Sequence, residues 1–256
     1  MADSVVYLYA VTDAAPAEER TDEPVLAGVD GVPVRRVVSG DLAAVVSSVD
    51  PTRFSEEALR RSLEDLQWLE RTARAHDAVV AGVARSGPVA PVRLATVYLD
   101  DENVHALLDE RAAEFTAALD RIRGRTEWGV KGFAVRSEGD TSPQVTEDSK
   151  PGTAYLMRRR AERDRAARGL QDAAEAAEAV HQEMSALAVA SRRYQPQDPR
   201  LSGRHEEMVL NVAYLVNEAG AEALRRLVGQ QGGQNLRLEL TGPWAPYSFA
   251  TLEEQA

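Results

Sequence analysis

VVYLYAV, residues 5–11, decides the fold of the first half of the chain. All seven residues are apolar or aromatic, so both faces of a strand formed here would be apolar. Strands that are buried on both faces lie inside a sheet rather than at its edge. The stretch therefore predicts a central strand around which the rest of the first half is arranged.

The segments that follow predict a complete small sheet. Residues 32–49 contain two β-rich runs around Ser39-Gly40-Asp41, which is typical of a hairpin. Ser55 with Glu56 and Glu57 indicates a helix start, and an apolar face at three- and four-residue spacing predicts one helix from Ser55 to about Arg85. A strand at 89–99, a helix at 100–124 and a strand at 127–135 complete the order β, hairpin, α, β, α, β. This order predicts a ferredoxin-like split βαβ sheet with helices on one face.

The second half predicts another mixed domain. Residues 137–150 are polar and have no apolar period, so we expect a first domain at 1–137, a linker at 138–150 and a second domain at 151–256. A long helix to about Ser191 is followed by a small βαβ sheet. The fold class is therefore α+β, in two domains, with a C-terminal tail.

The long helix carries an apolar seam with two interpretations. Its members alternate steps of three and four and are Leu170, Ala173, Ala177, Val180, Met184 and Leu187. The seam is short for a coiled coil, so we favour packing on the helix's own sheet. A partner-binding helix is the alternative.

Composition excludes several classes of partner. The net charge of −11 and pI near 5.0 disfavour nucleic acid and anionic membranes. The absence of cysteine excludes disulfides and thiol chemistry and fits a reducing compartment. The first residues have neither a basic region nor a long apolar run, so we expect a cytoplasmic protein.

The sequence contains no catalytic or metal motif. Its four histidines lie at 76, 105, 181 and 205, and none has a histidine partner at helical spacing. Gly232-Gly233 follows a helix and precedes a strand, the reverse of a phosphate-binding loop. We therefore expect no enzyme activity, no cofactor and no metal.

Residues 158–168 form a local basic patch. Six arginines and two acidic residues give this segment a net charge of +4. The simplest interpretation is a solvated helix face with i, i+4 ion pairs, which we favour over RNA binding because aromatic residues are missing. Docking on an acidic protein surface is a further alternative.

The C-terminal stretch LELTGPWAPYSF, residues 238–249, places aromatic side chains around two prolines. The prolines stiffen the turn and lower the entropy that is lost when Trp244, Tyr247 and Phe249 are fixed. Either these side chains pin the tail to the chain itself across the domain junction, or they contact a partner. We favour the internal latch because an exposed aromatic cluster is a liability in water.

Several segments together resemble the gas vesicle protein family GvpF/GvpL. They are YLYAV, VAPVRLATVY, EWGVKGFAV, GTAYLMRRR, MVLNVAYLV and the closing LELTGPWAPYSF. The resemblance covers Val5 to Phe249. One departure follows Arg93, where the family tends to have an aromatic residue and a glycine and this chain has Leu94 and Ala95.

The resemblance implies a non-enzymatic accessory protein of gas vesicle assembly, located in the cytoplasm and at the gas vesicle. Implied partners are the hydrophobic shell protein and other accessory proteins, and nothing defines the oligomeric state. The site residues that we single out are Arg93, Trp244, Tyr247 and Phe249, as latch or partner contacts. A structural component that is retained in the shell, and a ligand-binding sensor or enzyme on a ferredoxin-like scaffold, remain alternatives.

Overall fold

The computed structural model describes residues 4–14, 26–135, 151–197, 206–230 and 235–250. Internal contacts divide the chain into one unit of Met1–Glu127 with Pro243–Ala256 and another of Trp128–Gly242. Each unit is built on an antiparallel sheet, so the prediction of a mixed α+β fold is confirmed. The linker predicted at 138–150 lies outside the described residues.

Among the described residues, the first unit contains five strands and five α-helices before the chain enters the second sheet. The strands are β1 (Val5–Asp13), β2 (Arg35–Ser39), β3 (Leu42–Val49), β4 (Val89–Pro91) and β5 (Val97–Tyr98). The helices are α1 (Pro51–Phe54), α2 (Glu56–Ser62), α3 (Leu66–Val83), α4 (Asp101–Glu110) and α5 (Ala112–Ile122).

The strand order of the first sheet is β2-β3-β1-β4, and β5 also pairs with β1. The first eight residues of β1 are buried, so the central strand predicted from residues 5–11 is confirmed. The predicted hairpin joins β2 to β3, and Gly40 at its tip has a φ of 55° that favours glycine.

Helices cover both faces of this sheet, rather than the single face that we expected. Phe54 and Trp68 pack with Tyr7 on one side. On the other side, Leu8 lies with Leu107 of α4 and Phe115 of α5. Because β1 is apolar on both faces, a helical layer on each face removes both from water.

The helix predicted from Ser55 to Arg85 is two helices. Ser55 caps the first as expected, through a bond from the Ala58 N–H. Asp65 then accepts hydrogen bonds from two backbone N–H groups and starts α3. The break rotates the apolar face, so that Leu66 is 78% exposed and Trp68 is buried.

The described part of the second unit contains four strands and two helices. They are β6 (Thr126–Ala134), α6 (Pro151–Leu187), β7 (Ala190–Arg193), β8 (Glu207–Val216), α7 (Glu218–Gln230) and β9 (Leu236–Trp244). Their sheet order is β7-β8-β6-β9. The chain then returns to the first unit, where it forms α8 (Tyr247–Ala250).

Strand β6 corrects the expected division of the chain. Residues 127–135 were expected to complete the first sheet, but β6 lies between β8 and β9 in the second. Trp128 and Val130 of β6 share a core with Ala177 and Val180 of α6. Packing between residues about fifty positions apart decides which sheet β6 joins. A local sequence pattern cannot predict this packing.

The favoured interpretation of the α6 seam agrees with the packing. Ala173, Ala177, Val180 and Met184 are each at most 2% exposed, and the last three lie in the core of the helix's own unit. No described helix is long and apolar enough to cross a membrane.

Candidate functional site

The edge strand next to β1 is interrupted. Both β4 and β5 pair antiparallel with β1, opposite Ala10–Thr12 and Val6–Tyr7 respectively. Residues 92–96 loop out between them, held by bonds from Val92 N to Tyr9 O (3.0 Å) and from Leu8 N to Thr96 O (2.9 Å). The register of β1 against β3 also shifts between Leu8 and Ala10, so the bulge and the loop face each other across the strand.

Ala95 has an unusual backbone conformation within this loop. Its φ is 63°, in the left-handed region that glycine adopts without steric cost. The Ala95 N–H donates to the buried Tyr7 hydroxyl over 3.0 Å, which holds the peptide in place. This conformation gives a physical reason for the glycine that the resembling family tends to have here.

An apolar cleft opens beside the interrupted strand. Its volume is about 110 Å³, and two arginines contribute to its wall. The lining residues are Leu8, Ala90, Pro91, Val92, Arg93, Thr96, Tyr98, Leu107, Arg111, Phe115 and Ala250. Arg93 is exposed, while the Arg111 guanidinium pairs with Glu114 at 2.7 Å and lies 5.9 Å from the Phe115 ring centre. The site therefore offers an apolar floor with positive charge in its wall.

A buried polar group lies on the other face of β1. His76 of α3 is 3% exposed, and its Nδ1 is 3.1 Å from the Tyr7 hydroxyl. Its Nε2 has no hydrogen-bond partner of standard geometry among the described residues. Burial lowers the pKa of His76 to about 4, against a smaller opposing effect of the Val92 backbone. The imidazole is therefore neutral at pH 7, as expected for a histidine in the core.

The C-terminal tail packs on the first unit through α8. Phe249 and Ala250 are buried, and the Tyr247 ring lies 6.4 Å from that of His76. The Glu127 carboxylate accepts bonds from the Ser248 N–H (2.8 Å) and hydroxyl. A carboxylate at this position satisfies backbone N–H groups that a helix start leaves unpaired.

The four predicted site residues separate into three environments. Tyr247 and Phe249 contact their own unit, with the Tyr247 hydroxyl 3.4 Å from Asp77 Oδ1. Arg93 lines the cleft, to which the tail contributes Ala250. Trp244 is 50% exposed. A role of any of the four in partner binding stays a prediction.

Sequence reasoning missed Arg111, Glu127 and Asp77. Arg111 separates α4 from α5, and Glu127 is the second residue of β6, so neither position carries a local signal of a site. Only the packing of distant segments brings them to the cleft and the tail. Among the described residues, no group of three or more His, Cys, Asp or Glu side chains is arranged to hold a metal ion.

Comparison with known proteins covers nearly the whole chain. The chain is 40% identical over 256 residues to gas vesicle protein L of Streptomyces sp. (strain CB03234), covering 99% of this chain and 95% of that protein. It is 29% identical over 228 residues to gas vesicle protein F of the same strain, covering 85% and 87%.

Solved structures share the fold. The crystal structure of the gas vesicle protein GvpF from Anabaena sp. PCC7120 matches with a TM-score of 0.65 and 21% identity, over 98% of each chain. GvpF from Microcystis aeruginosa matches with a TM-score of 0.65 and 19% identity, over 97% of this chain and 99% of that one. The model of the gas vesicle synthesis protein GvpL/GvpF family matches residues 5–251. The chain therefore belongs to the GvpL/GvpF family of gas vesicle synthesis proteins, and the resemblance seen in its motifs is confirmed.

Proposed function

We propose that this protein is a non-enzymatic accessory factor of gas vesicle assembly that binds an apolar segment of the shell protein. Other accessory proteins that present a similar segment are further partners. The cleft beside the interrupted strand receives an apolar side chain, and Trp244 adds a second contact. Membership in the GvpL/GvpF family supports the gas vesicle role, and the shape of the cleft supports binding of a protein segment.

The size of the cleft carries this proposal. Sites for cofactors and metabolites usually enclose about 300–1,000 Å³. A volume of about 110 Å³ lies below this range, which favours an inserted apolar side chain of a partner over a cofactor or metabolite. Leu8, Leu107 and Phe115 provide apolar surface, whose burial against a partner side chain is favourable.

The charges of the wall favour an apolar segment that is followed by a carboxylate. Arg93 is exposed at the cleft, and the planar guanidinium group suits carboxylates. The whole chain carries −11, so a local positive charge in the wall orients an acidic segment that the rest of the surface repels. Shielding the apolar surface of a shell subunit until it polymerises is the function that such a site supports.

Co-expression with the shell protein tests the proposal. The wild-type chain is expected to keep shell protein soluble and to retain it in a pull-down. Leu107→Trp fills the cleft and is expected to abolish retention. Leu66→Trp makes the same chemical change at a leucine that is 78% exposed and does not line the cleft, so it serves as the matched control.

Two outcomes contradict this function. Shell protein that aggregates equally with and without the wild-type chain excludes shielding. Equal retention by the Leu107→Trp and Leu66→Trp variants excludes the cleft. Washing purified vesicles with salt and urea then separates a transient assembly factor, which is released, from a component of the shell, which stays.

A further inference from the structure

Helix α6 extends beyond the part of it that packs on its own sheet. It has 37 residues, which corresponds to about 55 Å. The fully buried side chains Ala173, Ala177, Val180 and Met184 all lie in its C-terminal half. From Tyr155 to Asp172 no described side chain is buried, and Leu156 and Met157 are 67% and 66% exposed. The N-terminal half of α6 therefore extends beyond the part of the helix that contributes to the core of its own unit.

The charges of α6 are separated along its axis. Tyr155–Arg168, the basic half, contains six arginines and two carboxylates and has a net charge of +4. Gly169–Leu187, the acidic half, contains four carboxylates and no lysine or arginine, a net charge of −4. The net charges of the two halves are therefore equal in magnitude and opposite in sign.

The five arginines of the basic half whose side chains the structure describes form no ion pair with another described residue. We expected i, i+4 ion pairs along this face, but Arg160, which is four residues from Asp164, and Arg168 form no ion pair with a described residue. The same holds for Arg159 and Arg163. Arg165 donates only to the Ala161 carbonyl. These five arginines of the basic half thus present positive charge that no described carboxylate neutralises.

We propose that a second copy of this chain docks along α6, antiparallel, to form a two-fold symmetric dimer. In this arrangement the basic half of each copy lies against the acidic half of the other. The two-fold axis produces this contact between opposite charges twice. A parallel arrangement would place like charges together, which is unfavourable. Two-fold dimers are also the commonest form of homo-oligomer.

One alignment of the two antiparallel helices pairs opposite charges and also brings exposed apolar residues together. If Arg168 lies opposite Glu175 of the second copy, the axis passes between Gln171 and Asp172. Arg165 then lies at the level of Glu178 of the second copy, whose carboxylate also pairs with Arg193 of its own chain at 2.6 Å.

The same register places the exposed apolar ends at one level. Leu156 and Met157 of one copy lie at the level of Leu187 and Ala186 of the other, and Leu187 is 37% exposed. Exposed alanines along the acidic half, such as Ala176 and Ala179, leave room for helix axes about 8–10 Å apart. The dimer would thus cover apolar surface as well as pair charge.

Charge reversal in the full chain tests the dimer. An acidic variant carries Arg165→Glu with Arg168→Glu, and the reciprocal basic variant carries Glu175→Arg with Glu178→Arg. The wild type is expected to be dimeric by sedimentation, and each variant is expected to dimerise at least about tenfold more weakly, because attractive pairs become repulsive. An equimolar mixture of the two variants is expected to form a heterodimer, since every changed position then faces the opposite charge.

A matched control removes the effect of net charge. Arg60→Glu with Arg61→Glu changes the charge by the same amount on exposed α2 and is expected to leave the dimer unchanged. A wild-type chain that is monomeric at about 100 μM overturns the proposal, whether or not it captures an acidic partner. So does a mixture of the two variants that stays monomeric. Because the cleft residues are untouched, retention of shell protein by these variants separates this proposal from the proposed function.

Discussion

The two sheets of this protein have the same strand order but differ at the fourth strand. Numbered within each unit, both read 2-3-1-4, the order of a split βαβ arrangement. In the second unit the fourth strand is the continuous β9, of nine residues. In the first unit it is divided into β4 and β5, with residues 92–96 between them. The cleft lies at this interruption, so the departure from the shared pattern is where a binding surface forms.

The units also bury a tyrosine–histidine pair in different ways. In the first unit, Tyr7 and His76 are both fully buried. In the second, the Tyr214 hydroxyl is 2.7 Å from Nδ1 of His181, which is only partly buried. Burial lowers the pKa of both histidines, but only that of His76 falls to about 4. The deeper burial of His76 is therefore expected to make protonation of this pair more costly in the first unit than in the second.

Removal of the tail anchor is expected to have the largest effect, and only on the first unit. Phe249→Ala should lower the free energy of unfolding by about 3–5 kcal/mol, because a buried aromatic side chain leaves a cavity. Hydrogen exchange should accelerate in β1 and stay unchanged in β8. Trp244→Ala should cost about 1 kcal/mol or less, since half of this side chain is already exposed. An equal cost for both substitutions would show that Trp244, rather than Phe249, fixes the tail.

Protonation of His76 at acidic pH is expected to have the next largest effect on the free energy of unfolding. The folded pKa of His76, about 4, lies below its unfolded value of about 6.5, so the unfolded state binds more protons as the pH falls. The stabilisation is complete above about pH 6.5 and is lost towards pH 4, with a total near 3 kcal/mol. Urea unfolding between pH 7 and pH 5 measures the slope. His76→Gln should flatten it, and an unchanged slope in this variant would assign the effect to other groups.

Ala95→Gly is expected to have the smallest effect and the opposite sign. Ala95 at a φ of 63° carries strain of about 1–2 kcal/mol that glycine does not have, and part of this gain is offset by the larger chain entropy of unfolded glycine. A net stabilisation of about 1 kcal/mol should appear as a higher midpoint in urea. A lower midpoint would mean that the interruption of the fourth strand depends on the alanine side chain.

Local signals predicted many elements of the fold but not their assignment to sheets. The apolar period of residues 5–11 identified β1, and Ser55 identified a helix start. Asp65 could have revealed the second helix start, because aspartate is a preferred cap, but the leucine spacing across it suggested one continuous helix. The sheet to which β6 belongs depends on Trp128 meeting α6, and no local pattern contains that contact.

The candidate site was predictable only in part, for the same reason. The tail aromatics and Arg93 stood out by composition and resemblance, whereas the cleft also needs Leu8, Leu107 and Arg111, which are ordinary residues in sequence. The sequence by itself determined the class of elements, the family and the charge pattern, because each is written in neighbouring residues or in motifs. Only the tertiary structure decided that one edge strand is interrupted and that the tail returns to the first unit. Both features arise from contacts between residues that are far apart in the chain, whose free energy depends on packing and not on local preference.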